Sequence, residues 1–252
     1  MDKICYILCG EKGNCKTTTA LGFNGKIRAF SWDGKTKSIW ENWYNKDSRI
    51  KITDVREMII RTKGQWRYTS SQAVERVKLI IESIPKNKYD WFFHDSIDDY
   101  AKTCEMKMRY KHNLSVFQGV SERGLWNERF EDLCEIYDTS VEKSKYGIIL
   151  TCMLDLVDVQ EEGEDFTKVW RPAWTKFFEK EGDIIGYLNL RRIRIKNINR
   201  IKNKLELSII SSKRDKQLFK TGELIDLTNI SISDWAKKNK RRLFLLSDKV
   251  EL

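Results

Sequence analysis

The chain has 252 residues, with 47 Lys or Arg against 37 Asp or Glu and a formal net charge of +10. At 40% hydrophobic and 12% aromatic residues it carries enough apolar side chain for a core, which excludes a disordered chain, while a charged fraction of 33% makes its surface ionic. No apolar run reaches the roughly 18 residues that span a bilayer, and the start MDKICYILCG lacks a signal peptide's basic segment and cleavage site, so a cytoplasmic globular protein of one large domain is expected.

The first element is KICYILCG, a short apolar run that reads as a buried strand ending in glycine. CGEKGNCKTTTAL follows, one residue away from the G-x-x-x-x-G-K-[ST] loop that cradles nucleotide phosphates. Gly10, Lys16 and Thr17 stand at the right spacing, and Cys15 stands where the second glycine belongs. In such a loop the backbone N–H groups of Gly10, Glu11, Lys12, Gly13, Asn14, Cys15, Lys16, Thr17 and Thr18 surround the phosphates. The lysine neutralises charge and the hydroxyl reaches Mg2+. Cys15 puts a Cβ where the backbone must curl closely, which strains the loop or weakens binding; a plain Gly-rich turn is the other reading.

KIRAFSWDG reads as a second strand ending near Asp33, and RIKITDV as a third. SSQAVERVKLIIESIPKNK carries a helical stripe of Val74, Val77, Ile80, Ile81 and Ile84 that stops at Pro85. YDWFFHDS reads as a buried strand with a carboxylate, Asp95, at its end. Asp95 suits a magnesium acid opposite Thr17, and equally an N-cap for the helix that follows. GLWNERFEDLCEIY predicts a helix with Trp126, Phe130, Leu133 and Ile136 on one face, and YGIILTCML another buried strand. This alternation predicts an α/β fold with a mainly parallel sheet flanked by helices.

DFTKVWRPAWTKFFEKE reads as a helix interrupted near Pro172. DIIGYLNLRRIRIKNINRIKNKLELSIISSK alternates in period two and predicts a C-terminal antiparallel strand extension on the sheet edge. SISDWAKKNKRRLFLL predicts a final helix with Ser233 as its N-cap. Residues 1–228 are therefore read as one nucleotide-binding domain and 229–252 as a basic tail. The cysteines, Cys5, Cys9, Cys15, Cys104, Cys134 and Cys152, form no C-x-x-C pair, so reduced, mostly buried thiols are expected rather than a zinc site.

From Arg191 onward 17 Lys or Arg face 7 Asp or Glu, so the whole net charge resides in this quarter. Arg191, Arg192, Arg194, Lys196, Lys213 and Arg214 form the candidate surface for a nucleic acid or a neighbouring subunit, with an edge strand guarded by charge as the alternative. Alternation sets Arg192 and Arg194 on one face of the strand and Ile193 and Ile195 on the other. Most of the nine tryptophans fall on buried patterns. Trp40, Trp43 and Trp66 do not, and Trp66, amid KGQWRY, has the aromatic-among-cations setting that single-strand stacking uses.

In layout, with its loop, the acid-ended strand DWFFHDS, YGIILTCML and the basic hairpin, the chain resembles the small RecA-like P-loop ATPases of phages and archaeal mobile elements over about residues 3 to 228. The resemblance implies a single RecA-type core, ATP and Mg2+ as cofactors, and action on single-stranded DNA in recombination, annealing or replication. It also implies work beside a single-strand binding protein or as a homo-oligomer. It assigns Lys16 and Thr17 to the loop, Asp95 with Ser96 to magnesium, Asp33 to polarising the attacking water, and Lys213 or Arg214 to a neighbour's phosphates. A turn at WDG explains Asp33 as well. Two departures, Cys15 and the absence of a polar γ-phosphate sensor at Met153, with Thr151 the nearest substitute, imply weakened hydrolysis or a degenerate binding module. A P-loop kinase is the remaining alternative, although no arginine-rich lid precedes residue 160.

Overall fold

A computed structural model describes residues 3–62, 64–159, 167–172, 180–195, 200–213 and 218–244. In chain order the elements are β1 (Ile4–Gly10), α1 (Lys16–Leu21), β2 (Ile27–Ser31), α2 (Thr36–Trp43), β3 (Ile50–Asp54), α3 (Trp66–Glu82), β4 (Trp91–Asp95) and α4 (Ile97–Lys111). They continue with α5 (Arg123–Lys143), β5 (Gly147–Val159), β6 (Thr167–Pro172), β7 (Ile184–Ile195), β8 (Arg200–Ser212), β9 (Leu224–Asp226) and α6 (Ile232–Lys238). The chain is α/β, with parallel pairing early and antiparallel strands toward the C-terminus, as the alternation predicts. Its residues form two compact units, Gly25–Ile148 and the combination of Met1–Asn24 with Ile149–Leu252.

In the unit Gly25–Ile148, β3, β2 and β4 lie side by side, all parallel. The register sets Ile27 between Ile50 and Trp91, and Ser31 between Asp54 and Asp95. Every residue of β2 and β4 is buried, because parallel strands joined by helical crossovers are covered on both faces. On α3 the expected stripe holds at Val74, Val77 and Ile81, all buried, and the helix ends at Glu82, ahead of Pro85. On α5 the buried face runs through Leu133, Ile136, Tyr137 and Ser140. Phe130 lies off it and is 43% exposed, and Trp126 is turned to meet Val120, whose carbonyl accepts the indole N–H at 3.1 Å.

In the other unit the strand order is β5-β1-β7-β8-β9. β1 pairs parallel with β7, Tyr6 opposite Ile184 and Cys9 opposite Tyr187, and β7–β8 is a long antiparallel hairpin with β9 added beside β8. The hairpin is irregular at Ile185–Gly186, where a Cβ on Gly186 would stand 2.6 Å from Leu207 Cδ1, so a larger residue there would require Leu207 to move. Two expectations are corrected here. Thr167–Pro172 is a strand rather than a helix, because its Thr, Val and Trp suit pairing with β5, Val169 opposite Val157 and Trp170 opposite Leu156. The N-cap of α6 is Ser231, whose Oγ accepts from the Asp234 N–H at 3.0 Å, while Ser233 lies inside the helix.

The α6 segment packs within this unit: Trp235 stacks on Phe219 at 6.0 Å, and the hydroxyl of buried Tyr6 donates to the Leu243 carbonyl at 2.9 Å. Among the described residues no helix is long and apolar enough to cross a membrane. The six cysteines are free thiols, four of them buried.

Candidate functional site

The loop between β1 and α1 is shaped by four residues. Gly10 is required by packing, since a Cβ there would lie 2.8 Å from the Leu188 carbonyl oxygen of β7. Gly13 is required by conformation, with φ +90 and open space around it. Cys15, in the position where the motif carries glycine, adopts φ 57 and ψ 23, the left-handed region that glycine enters without penalty. Asn14 between them is not among the residues of positive φ. Gly13 and Cys15 therefore place two left-handed residues among the three that precede Lys16, and the Asn14 N–H between them donates to Glu11 O at 3.2 Å. Asn14 Nδ2 anchors the loop by donating to Leu188 O at 3.0 Å.

Lys16 reaches back over this loop. Its ammonium donates to Gly10 O at 2.7 Å and Glu11 O at 2.9 Å, and lies 3.5 Å from Met153 Sδ. A positive charge therefore sits against the loop backbone, held by its carbonyls. Met153 of β5 stands against the Lys16 ammonium, where a thioether offers only a weak acceptor. Thr17 and Thr151 are both buried. Burial raises the Cys15 thiol above its ordinary value despite the opposing charge of Lys16, so Cys15 is a thiol rather than a reactive thiolate.

Asp95 belongs to the other unit, at the C-terminal end of β4. It is 3% exposed, and its Oδ2 accepts from Thr36 Oγ1 at 2.7 Å. Ser96 after it adopts φ 68 and caps α4, so the helix's own cap is Ser96 and Asp95 is left to other work. Ser31 Oγ, next to Asp95 in register, accepts from the N–H groups of Gly34 and Thr36 and fixes the turn that presents Thr36. Asp33 lies in that turn: it accepts from the Lys35 N–H at 2.9 Å and pairs with the Lys35 ammonium at 3.1 Å. Its carboxylate is engaged by its own neighbour, as an Asx turn requires, and could act as a base only if Lys35 let go.

Behind Asp95, His94 is fully buried. Its Nδ1 accepts from Trp32 Nε1–H at 3.2 Å, so its Nε2 carries the proton and meets Ser140 Oγ at 3.0 Å. Burial, and secondarily the charge of Arg28, lower its pKa to about 3, so the ring is a neutral structural link within the aromatic cluster of Phe30, Trp32 and Tyr100.

The basic residues divide along the hairpin. Because Cys9 stands opposite Tyr187, Arg191, Arg192 and Arg194 continue β7 past the end of β1 on the loop's side. At about 3.3 Å per residue Arg191 is roughly 10 Å beyond Leu188. Arg191 faces Glu206, which also binds Lys204 at 2.7 Å, so part of its charge is balanced. Lys213 sits at the opposite end, where its ammonium is tied to the Lys180 carbonyl. Arg192 is in register with Asn203 and Arg194 with Ile201. The side chains of these two arginines, and Lys196 and Arg214 altogether, lie outside the described residues.

Three features escaped sequence reasoning. The Thr36 bond to Asp95 joins residues 59 positions apart and leaves no local mark. The Lys16 contact with Met153 gives a structural setting to a residue whose type alone had stood out. The buried Glu105–Arg109 pair, 2.7 Å apart, has the i,i+4 spacing that marks it in the sequence. No family model matches the chain, and no curated protein matches it.

Proposed function

We propose that the chain binds a nucleoside triphosphate with Mg2+ at residues 10–18 and works as a RecA-like, single-stranded-DNA-associated ATPase. The observation that carries this reading is the loop itself. Cys15, where the motif carries glycine, holds a left-handed conformation that glycine enters without penalty, and Lys16 folds back onto the Gly10 and Glu11 carbonyls. A merely Gly-rich turn has no need for a strained cysteine or for an ammonium drawn over its backbone. In this reading Lys16 neutralises the β and γ phosphates, and the loop N–H groups orient them. Thr17 would be the loop's magnesium residue, with Asp95 assigned to the metal by the resemblance alone; bound, the metal would offset charge developing on the phosphates.

A second reading, binding without efficient hydrolysis, is favoured by two observations. Met153 presents sulfur to Lys16, and Asp33 is already committed to Lys35. ATP turnover with and without single-stranded DNA, beside Lys16→Ala, separates the two. DNA-stimulated turnover lost in the variant supports the ATPase. Saturable nucleotide binding without turnover supports the binding module, and an absence of nucleotide binding refutes both.

A further inference from the structure

We infer that the cleft lined by Arg61, Thr62, Gly64, Trp66 and Arg67 on one side and Ser115, Val116 and Phe117 on the other is a stacking site for a base of single-stranded nucleic acid, with Phe117 and Trp66 as aromatic contacts and Arg67 as the phosphate ligand. The choice of ligand rests on the single-strand reading above; the site itself rests on the unit Gly25–Ile148 alone.

The cleft has a volume of about 590 Å³ and is lined by Arg61, Trp66, Arg67, Val116 and Phe117 with short polar neighbours. That volume lies within the range of small-ligand sites. Phe117 is 95% exposed. Single exposed apolar residues are common, but this one is held in place. Gln118 N–H donates to Ser115 O at 3.4 Å, Ser115 N–H to Gln118 Oε1 at 3.2 Å, and Arg109 Nη1 to both Ser115 O and Gln118 O at 2.8 Å. Arg109 is itself buried and paired with buried Glu105 at 2.7 Å. Burial opposes ionisation of Glu105, yet bonds from Arg109 and Lys102 outweigh it and keep the carboxyl below its ordinary range. A buried ion pair thus fixes a turn whose only large side chain points into solvent.

The charge of the lining fits a polyanion. Among the described residues no carboxylate lines the cleft. Arg61 stacks over Trp66 at 5.6 Å and is balanced by Asp99 at 2.8 Å, so it contributes a planar face more than charge. Arg67 donates to the Leu114 carbonyl and has no carboxylate partner among the described residues, so its guanidinium keeps donors for a phosphate. Aromatic faces beside an unbalanced arginine are what sequence-tolerant single-strand binding requires. A peptide partner would use the apolar contacts and leave Arg67 uncompensated.

The test is fluorescence anisotropy of the full chain with labelled oligo(dT) and oligo(U), comparing wild type with Phe117→Ala, Phe117→Trp and Arg67→Gln. Phe117→Ala cannot disturb the core, and loss of one stacked base weakens binding about 5- to 150-fold, with Phe117→Trp restoring it. Arg67→Gln should reduce the salt slope of log Kd by about 0.7. The strand bound more tightly identifies DNA or RNA as the source, and Phe117 dependence is required of that strand. Binding unaffected by Phe117→Ala, or no binding of either strand, overturns the inference. Nucleotide binding through Lys16 is read separately in the same samples: its loss with Phe117 dependence intact removes the nucleotide reading and leaves this site standing.

Discussion

Replacing Cys15 by glycine tests the strain stored in the loop. An L-residue in the left-handed region costs about 1–2 kcal/mol relative to glycine, whereas glycine adds about 0.5–1 kcal/mol of unfolded-state entropy to be lost on folding. With Cys15 at φ 57 and ψ 23, Cys15→Gly is therefore expected to leave stability unchanged or raise it by up to about 1.5 kcal/mol. For a chain of this size that is a Tm rise of up to about 6 °C in thermal denaturation. Cys15→Ala keeps the Cβ and removes the thiol, so the difference between the glycine and alanine variants isolates the backbone contribution. Because the fold already holds residue 15 in the left-handed region, the relief belongs to stability; nucleotide affinity should change by less than about threefold. A glycine variant more than about 1 kcal/mol less stable than wild type would refute the strain argument. A glycine variant with much weaker nucleotide binding would show Cys15 to be an adapted contact.

Three further outcomes are expected. Thr36→Val removes the 2.7 Å bond to buried Asp95, and should cost about 1.5–3 kcal/mol in urea denaturation, since bonds to charged groups are the stronger kind; an unchanged midpoint would mean that Asp95 does not depend on it. His94 is neutral in the fold with its pKa lowered to about 3, so the unfolded chain takes up a proton first as pH falls. Its contribution is complete above about pH 6.5 and is lost toward pH 3, by up to about 4 kcal/mol; His94→Gln should flatten that part of a stability–pH profile, and an identical profile would contradict burial of a neutral ring. Replacing Arg192, Arg194 and Lys196 together by Ala should flatten the salt dependence of single-stranded DNA binding by about 2 in log–log slope and weaken all sequences alike, whereas normal DNA binding with lost self-association would make the hairpin a subunit contact.

Much of the α/β layout was legible because its signals are local. The unbroken apolar runs CYILC and WFF announce strands buried on both faces, and Pro85 marks where a helix must already have ended. Local signals misled where two periods overlap: Thr167–Pro172 carries aromatic and basic residues that fit a helix face, and pairing with β5 decided it as a strand. Ser231 and Ser233 are both sound caps by type, and Asp234, three residues after Ser231, selects the former. Around the candidate site, the spacing of Gly10, Lys16 and Thr17 was visible, and Cys15 announced itself by breaking the pattern. That Cys15 adopts a glycine's conformation was not visible, since backbone strain leaves no trace in residue type. Nor was the turn at Phe117, which depends on an arginine eight positions earlier and on the glutamate that buries with it.

The central claim is that the loop at residues 10–18 binds nucleotide through Lys16, and calorimetric titration of the full chain with Mg2+ and ATP tests it most directly. Charge-assisted bonds from an ammonium to phosphate contribute about 1.5–3 kcal/mol. Wild type should therefore show saturable binding at one site that Lys16→Ala weakens about 10- to 150-fold. Equal binding by both proteins, or none by the wild-type chain, would contradict the account.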